Sequence, residues 1–283
     1  MPKPPAQRAT KPKTSEPQRR TGARSIAAVS PEVLRRLNAG ALETASMVEG
    51  MAMDLEALLE ATLTARRMPG QLAERVLAGA AKTKGQGYVK RISETGRLLF
   101  EATREWPRGE PFLEELSRSP SDTVRAWAAY AVAADSSRPL SARLEAIRPF
   151  ATDSHFGVRE WAWMAVRASV TAAPHEALGL LAPWAREPDA NIRRFAVEVT
   201  RPRGVWSAHI EALKKDPSPG LVVLEPVRAD ASRYVRDSAA NWLNDASKSA
   251  PAWVEDVCER WLRESPAPET DRLVQRALRT LRR

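Results

Sequence analysis

The chain of 283 residues carries 44 Lys/Arg against 35 Asp/Glu, a formal net charge of +9, with one cysteine and three histidines. A lone Cys258 excludes an intramolecular disulfide and a cysteine-based metal cluster, and His155, His175 and His209 stand at no metal-ligand spacing. No apolar run approaches the ~20 residues of a bilayer span and no hydrophobic leader opens the chain, so the expectation is a soluble cytoplasmic protein with no metal and no membrane partner.

Residues 1–25 hold seven Lys/Arg against Glu16, a net of +6 that leaves +3 for the remaining chain. Pro2, Pro4, Pro5, Pro12 and Pro17 interrupt that segment and large apolar groups are scarce. Such a segment cannot offset its ordering entropy, so 1–25 is expected to be a disordered basic tail ahead of one domain over 26–283. It is either a solubilising tail or a non-specific electrostatic tether to DNA.

Helical signals start at Ser30-Pro31-Glu32: an N-cap, a proline at the first position and an acid in the first turn. Asn38-Ala39-Gly40 closes that helix. Another opens at Thr44 or Ser46, with Met47, Val48, Met51, Leu55, Leu58 and Leu59 as its apolar stripe, and runs to the Pro69-Gly70 break. Helices follow over about 71–81 and 88–103.

From about Pro111 the sequence is periodic. A β-branched residue followed by arginine recurs at Val124-Arg125, Val158-Arg159, Ile192-Arg193 and Val235-Arg236, at intervals of 34, 34 and 43 residues, with a looser copy at Leu273 to Arg276. Each copy follows a polar turn and precedes alanine-rich helix, the pattern of paired-helix repeats. Strand signals are nearly absent. An all-α, HEAT-like helical-repeat solenoid is expected, C-shaped, with a concave basic groove. The long interval carries about nine extra residues near Arg201–Trp206, where a solenoid would build a pocket. Two readings of the repeat arginines stay open. They pair with acids of adjoining repeats, or the full set of Arg125, Arg159, Arg193 and Arg236, with Arg194, Arg201, Arg203 and Lys248, lines a groove against phosphates.

The stretch from Asn191 to Trp206 concentrates the chemistry. Ile192, Phe195, Ala196 and Val199 form a buried stripe, Arg194 and Glu198 stand four residues apart off it, and Pro202 stops the helix. Among nine tryptophans, Trp127, Trp161 and Trp242 fall at helical packing positions. Trp206 follows a Pro-Arg-Gly break and stands apart from them.

Arg193-Arg194-Phe195, Glu198 to Arg203 and Arg233 to Lys248 resemble the signature of the AlkC branch of the HEAT-like-repeat DNA alkylation repair glycosylases, and the likeness runs from about residue 30 onward. The resemblance implies a monomeric, nucleoid-associated bacterial protein acting on double-stranded DNA. It implies excision of cationic N3-alkylated purines, chiefly 3-methyladenine, with no cofactor. Some relatives carry an extra C-terminal immunoglobulin-like domain; this sequence ends at Arg283 after the repeats, and none is expected. A base alkylated at N3 is already a good leaving group, so the enzyme needs carboxylates near the oxocarbenium-like sugar and an aromatic face for the cation. Matched to the family's pocket, Glu160, Glu198, Asp245 and Trp206 supply that set. The rivals are a HEAT-repeat protein that binds bent or branched DNA without catalysis and a protein scaffold.

Overall fold

The computed structural model describes residues 20–204 and 206–282, and among these the chain is helical with no strand. In chain order the helices are α1 (Pro31–Asn38), α2 (Met47–Ala52), α3 (Leu55–Ala65), α4 (Gly70–Ala81), α5 (Tyr88–Arg104), α6 (Gly109–Ser117), α7 (Asp122–Ala133) and α8 (Leu140–Ala151). They continue with α9 (Phe156–Ala172), α10 (Pro174–Leu181), α11 (Ala190–Glu198), the short α12 (Glu211–Lys215) and α13 (Leu221–Leu224), then α14 (Arg233–Ser247), α15 (Pro251–Glu264) and α16 (Pro268–Ala277). The pairs α4/α5, α6/α7, α8/α9 and α15/α16 pack as helical hairpins. Their second helices, with α11 and α14, stack in a row: α5 on α7, α7 on α9, α9 on α11, α11 on α14, α14 on α16. This is the HEAT-like helical-repeat architecture read from the sequence.

The repeat arginines act inside the stack. Each opens a second helix and turns back to the loop before it: Arg125 Nη1 donates to Ser119 O (2.7 Å), Arg159 Nη1 to Asp153 O (2.7 Å), Arg193 Nη1 to Glu187 O (2.7 Å) and Arg236 Nη1 to Asp230 O (2.6 Å). All four span six residues, so one guanidinium satisfies a turn carbonyl that helix geometry leaves open. Arg125 and Arg193 also reach the following turn, Nε to Asp153 Oδ2 (2.7 Å) and to Asp230 Oδ2 (2.6 Å), stapling successive repeats. Arg159 differs: its Nε finds no acceptor among the described residues, and its guanidinium lies 5.3 Å from the Tyr234 ring centroid.

Three local features depart from the sequence expectations. The segment 1–25 falls, over 1–19, outside the described residues, but 20–25 pack on the domain. Arg20 Nη1 and Nη2 bond the Glu49 carboxylate at 2.5 and 2.7 Å, and the Ala23 N–H bonds it at 3.3 Å. Glu49 is 1% exposed, and a buried carboxylate requires such donors. The single helix expected from Thr44 or Ser46 to Pro69 is two helices, because Asp54 Oδ1 accepts from the Glu56 and Ala57 N–H groups (3.0 Å each) and caps a new start at Leu55. Met47 and Met51, placed on its apolar stripe, are exposed. Finally, α11 ends at Glu198, four residues before Pro202, as the Thr200 hydroxyl donates to the Ala196 and Val197 carbonyls.

The long interval is a true insertion: a loop over 199–210, then α12 and α13, before α14 resumes the row. Trp242 seals it from below, its Nε1 donating to Thr200 O (3.0 Å), and Gly220 is required there, since a Cβ would lie 2.2 Å from the Trp242 ring. Ile192, Phe195, Ala196 and Val199 are buried as expected, as are Trp127, Trp161 and Trp242. Burial of a side chain such as Phe195 contributes about 1.5–3 kcal/mol, which fixes α11 and with it the arginine and acid on its flank.

Candidate active site

Three helix faces meet beside the insertion. On α9, Glu160, Trp163 and Arg167 follow the i, i+3, i+7 spacing of one stripe; on α11, Arg194 and Glu198 stand one turn apart; on α14, Tyr234, Ser238 and Asp245 share another stripe. Their side chains join in a chain of alternating charge. Glu160 Oε1 pairs with Arg194 Nη2 (2.7 Å), and Arg194 Nη2 lies 3.5 Å from Glu198 Oε2. Glu198 Oε1 pairs with Arg201 Nη1 (2.5 Å), Arg201 Nη2 pairs with Asp245 Oδ2 (2.8 Å), and Lys248 Nζ lies 3.5 Å from Asp245 Oδ1. Neutral groups complete it: the Ser238 hydroxyl donates to Glu198 Oε2 (2.7 Å), Trp163 Nε1 to Glu160 Oε2 (2.8 Å) and the Tyr234 hydroxyl to Glu160 Oε1 (3.5 Å). Tyr234 also presents its ring to Arg194, 4.8 Å from the centroid.

Exposure separates the three carboxylates. The Glu160 side chain is 38% exposed, whereas those of Glu198 and Asp245 are 5% and 6% exposed. Burial disfavours the Glu198 carboxylate, yet the charges of Arg194 and Arg201 and the bonds from Ser238 and Arg201 outweigh it, holding Glu198 below the usual carboxylate range. Burial likewise works against the Arg201 guanidinium, and Glu198 and Asp245 overcome it, raising Arg201.

Arg167 has no such carboxylate. It is 2% exposed and spends its donors on backbone carbonyls: Nη1 on Val199 O (2.5 Å), Nη2 on Arg201 O (2.6 Å) and Ala208 O (3.0 Å), Nε on Ala208 O (3.1 Å). Burial, seconded by the nearby Arg201 charge, pushes it down to about 10. The loop it grips carries Trp206, which is 73% exposed and sits at φ +62°. The other described non-glycine residue with positive φ, Arg67, follows the end of α3, where a left-handed residue commonly closes a helix. Trp206 follows no helix end, and a bulky residue in that region is strained by about 1–3 kcal/mol.

The expected catalytic set Glu160, Glu198 and Asp245 is thus joined through arginines, with Trp206 on the 199–210 loop that also carries Arg201. The expected phosphate ligands fare differently. Arg194, Arg201 and Arg236 are 6%, 9% and 8% exposed and their charges are spent inside the protein, because α11 and α14 stack too closely to leave them at the surface. For these three the ion-pair and turn-capping reading prevails over the groove reading. Arg203 is half-buried, with Nη2 on Ser249 Oγ (2.7 Å), and it, Arg159 and Lys248 keep access to solvent. Trp163, Arg167, Tyr234 and Ser238 were not among the sequence candidates. The spacing of Trp163 and Arg167 from Glu160 on α9 was the available signal; without the packing of α9 on α11, nothing marked them out. Two surface hollows, of about 530 Å³ beside Arg75 and Glu105 and about 240 Å³ beside Glu145 and Trp184, lie away from this cluster. No group of metal-binding side chains occurs among the described residues, and none of their helices is long and apolar enough to cross a membrane.

A HEAT-repeat family profile matches residues 109–200. Over 80% of its length the chain superposes on the Pseudomonas fluorescens alkylpurine DNA glycosylase AlkC, solved bound to DNA containing an abasic site analog, with a TM-score of 0.64 and 24% identity. It superposes over 68% of its length on AlkD2 from Streptococcus mutans, with a TM-score of 0.52 and 21% identity. The fold is that of AlkC and AlkD2. The chain covers 62% of the AlkC structure and 96% of AlkD2. It is also similar to the uncharacterized protein YhaZ of Bacillus subtilis (strain 168), 36% identical over 137 residues, which are 48% of this chain and 37% of that relative.

Proposed function

We propose that the protein is a monofunctional DNA glycosylase that hydrolyses the N-glycosidic bond of cationic N3-alkylated purines, chiefly 3-methyladenine, in duplex DNA. The observation that carries this reading is a chain of alternating buried charge that ends in one solvent-exposed carboxylate, Glu160, and that holds through Arg201 the loop carrying the exposed Trp206. The Trp206 ring offers its negative face to a cationic base. Glu160, held by Arg194, Trp163 and Tyr234, is the carboxylate a substrate reaches, and it stabilises the sugar cation or orients the attacking water. Glu198 and Asp245 act behind it, fixing Arg194 and Arg201 so that the chain does not rearrange as charge develops. Arg159, Arg203 and Lys248 meet phosphates from a basic concave face, and the protein works as a monomer on DNA without a cofactor. The AlkC likeness supports this choice of substrate class.

The internal use of Arg194, Arg201 and Arg236, which leaves fewer cations for phosphates, favours one rival, a HEAT-repeat protein scaffold, over the other, a non-catalytic binder of bent or branched DNA. Purified protein incubated with methylated duplex DNA decides between them. Release of free 3-methyladenine, lost in Glu160→Gln, is the expected result; binding to duplex without release assigns the non-catalytic DNA-binding protein, and neither binding nor release assigns the scaffold.

A further inference from the structure

A guanidinium buried to 2% exposure with no carboxylate in contact is costly, since a buried charge ordinarily needs a partner. Arg167 meets that cost by direct bonds to carbonyls, with the charges of Glu198 and Asp245 helping from a distance, and those carbonyls are not scattered. Val199 and Arg201 lie on the near shoulder of the insertion loop and Ala208 on the far one. A further bond, Ile210 N–H to Pro202 O (3.0 Å), closes the loop's base. Between the shoulders Trp206 and Ser207 are unrelaxed. Trp206 is left-handed at φ +62°, and the Ser207 hydroxyl is buried without a hydrogen-bond partner among the described residues. Strain of this kind persists only where the surroundings over-determine the conformation, and Arg167 is the side chain here that bonds both shoulders.

We propose that Arg167 is a positioning residue that clasps both shoulders of the 199–208 excursion and so sets the posture of Trp206 and the backbone of Arg201. The inference rests on the glycosylase reading above and gives α9 a second task beside carrying Glu160. Because Glu160 and Arg167 ride on one helix face, the carboxylate that meets the sugar and the clasp that aims the aromatic ring are set by a single rigid element. Arg201 is the point of coupling, since its carbonyl lies in the clasp and its guanidinium bridges Glu198 and Asp245.

The test uses the full chain with two substitutions. Arg167→Lys keeps the charge but cannot span three carbonyls. Gly204→Ala leaves every buried polar partner in place but adds a methyl 2.0 Å from Ser207 Oγ and 3.3 Å from Arg167 Nη2, so that the Ser207 side chain and the Arg167 contact beside it must give way. Amide hydrogen exchange over 203–210, affinity for a methylated duplex and the single-turnover rate of base release are measured for each. Exchange in the loop is expected to quicken roughly 10-fold in both variants. The rate of release should fall by about 10²-fold, the cost of a misplacement on the order of 1 Å, while affinity stays within about 3-fold of wild type. Unchanged loop protection in both variants overturns the clasp. So does faster exchange with a wild-type rate of release, which would leave Arg167 a purely structural residue. If Arg167→Lys does not fold, Gly204→Ala carries the same readouts. If the wild-type protein releases no alkylated base, the glycosylase reading falls and the exchange measurement alone decides whether Arg167 holds the loop.

Discussion

Glu160 and Glu198 are both glutamates on Arg194, yet their surroundings give them different work. Glu160 is open to solvent on one side, so removing its charge withdraws a group the substrate meets. Glu160→Gln is expected to lower the single-turnover rate of 3-methyladenine release by about 10²–10³-fold, in the range of other single electrostatic contacts to a developing charge, with thermal stability close to wild type. An unchanged rate would remove Glu160 from the chemistry. Glu198 is buried between two arginines, so Glu198→Gln leaves both short of a counter-charge and should cost about 3–5 kcal/mol at neutral pH. Its lowered proton affinity fixes the sign of the pH effect. The stability it contributes is fully present above about pH 4.3, the ordinary glutamate value, and is lost as the pH falls through the depressed folded value. Urea unfolding of wild type and variant should therefore differ at pH 7 and converge at strongly acid pH. A gap that persists there would assign the loss to shape instead of charge.

At the scale of the element, the repeat arginines behave as fasteners. Asp230 accepts from Arg193 Nε (2.6 Å) and Nη2 (3.0 Å) and from the Ser232 N–H (2.8 Å), linking α11 to the start of α14. Asp230→Ala should lower unfolding free energy by about 3 kcal/mol, since it strands a partly buried guanidinium, and leave duplex affinity per folded molecule unchanged. Arg233→Ala, at a side chain 82% exposed beside Asp237, should leave stability within about 0.5 kcal/mol of wild type. Equal stability of the two variants in urea titrations would refute the fastener role. The repetition of the turn-capping bond explains why arginine recurs at the head of α7, α9, α11 and α14: the residue must reach back six positions, and in Arg125 and Arg193 it still carries a donor for the next repeat.

Across the whole molecule the excess charge lies near the N-terminus. Residues 1–19 hold five of the Lys/Arg against Glu16, and each cation that neutralises a phosphate adds about 0.9 to the slope of log affinity against log salt. Deleting 1–19 should flatten the salt dependence of binding to undamaged duplex without changing thermal stability. Deleting 1–25 should in addition lower stability, because it removes Arg20 and the Ala23 N–H from the buried Glu49 carboxylate. Equal melting temperatures for the two truncations would place the edge of the packed domain at residue 26 after all.

The helical class, the repeat, the insertion after α11 and the separateness of Trp206 were legible in the sequence, because each rests on local spacing: apolar stripes at helical period, turn residues between them, a Pro-Arg-Gly interruption. The candidate carboxylates were legible through resemblance. Whether a charged side chain faces water or another charge was not legible, since Glu198 and Arg194 fall off the apolar stripe of their own helix and only the approach of α14 buries them. The same holds for Arg167, eight residues beyond Arg159 on α9 and otherwise one arginine among many, which acquires its role from carbonyls 32 to 41 residues downstream. Local periodicity determined which elements form; their packing against one another decided which charges are spent within the protein and which remain for a substrate.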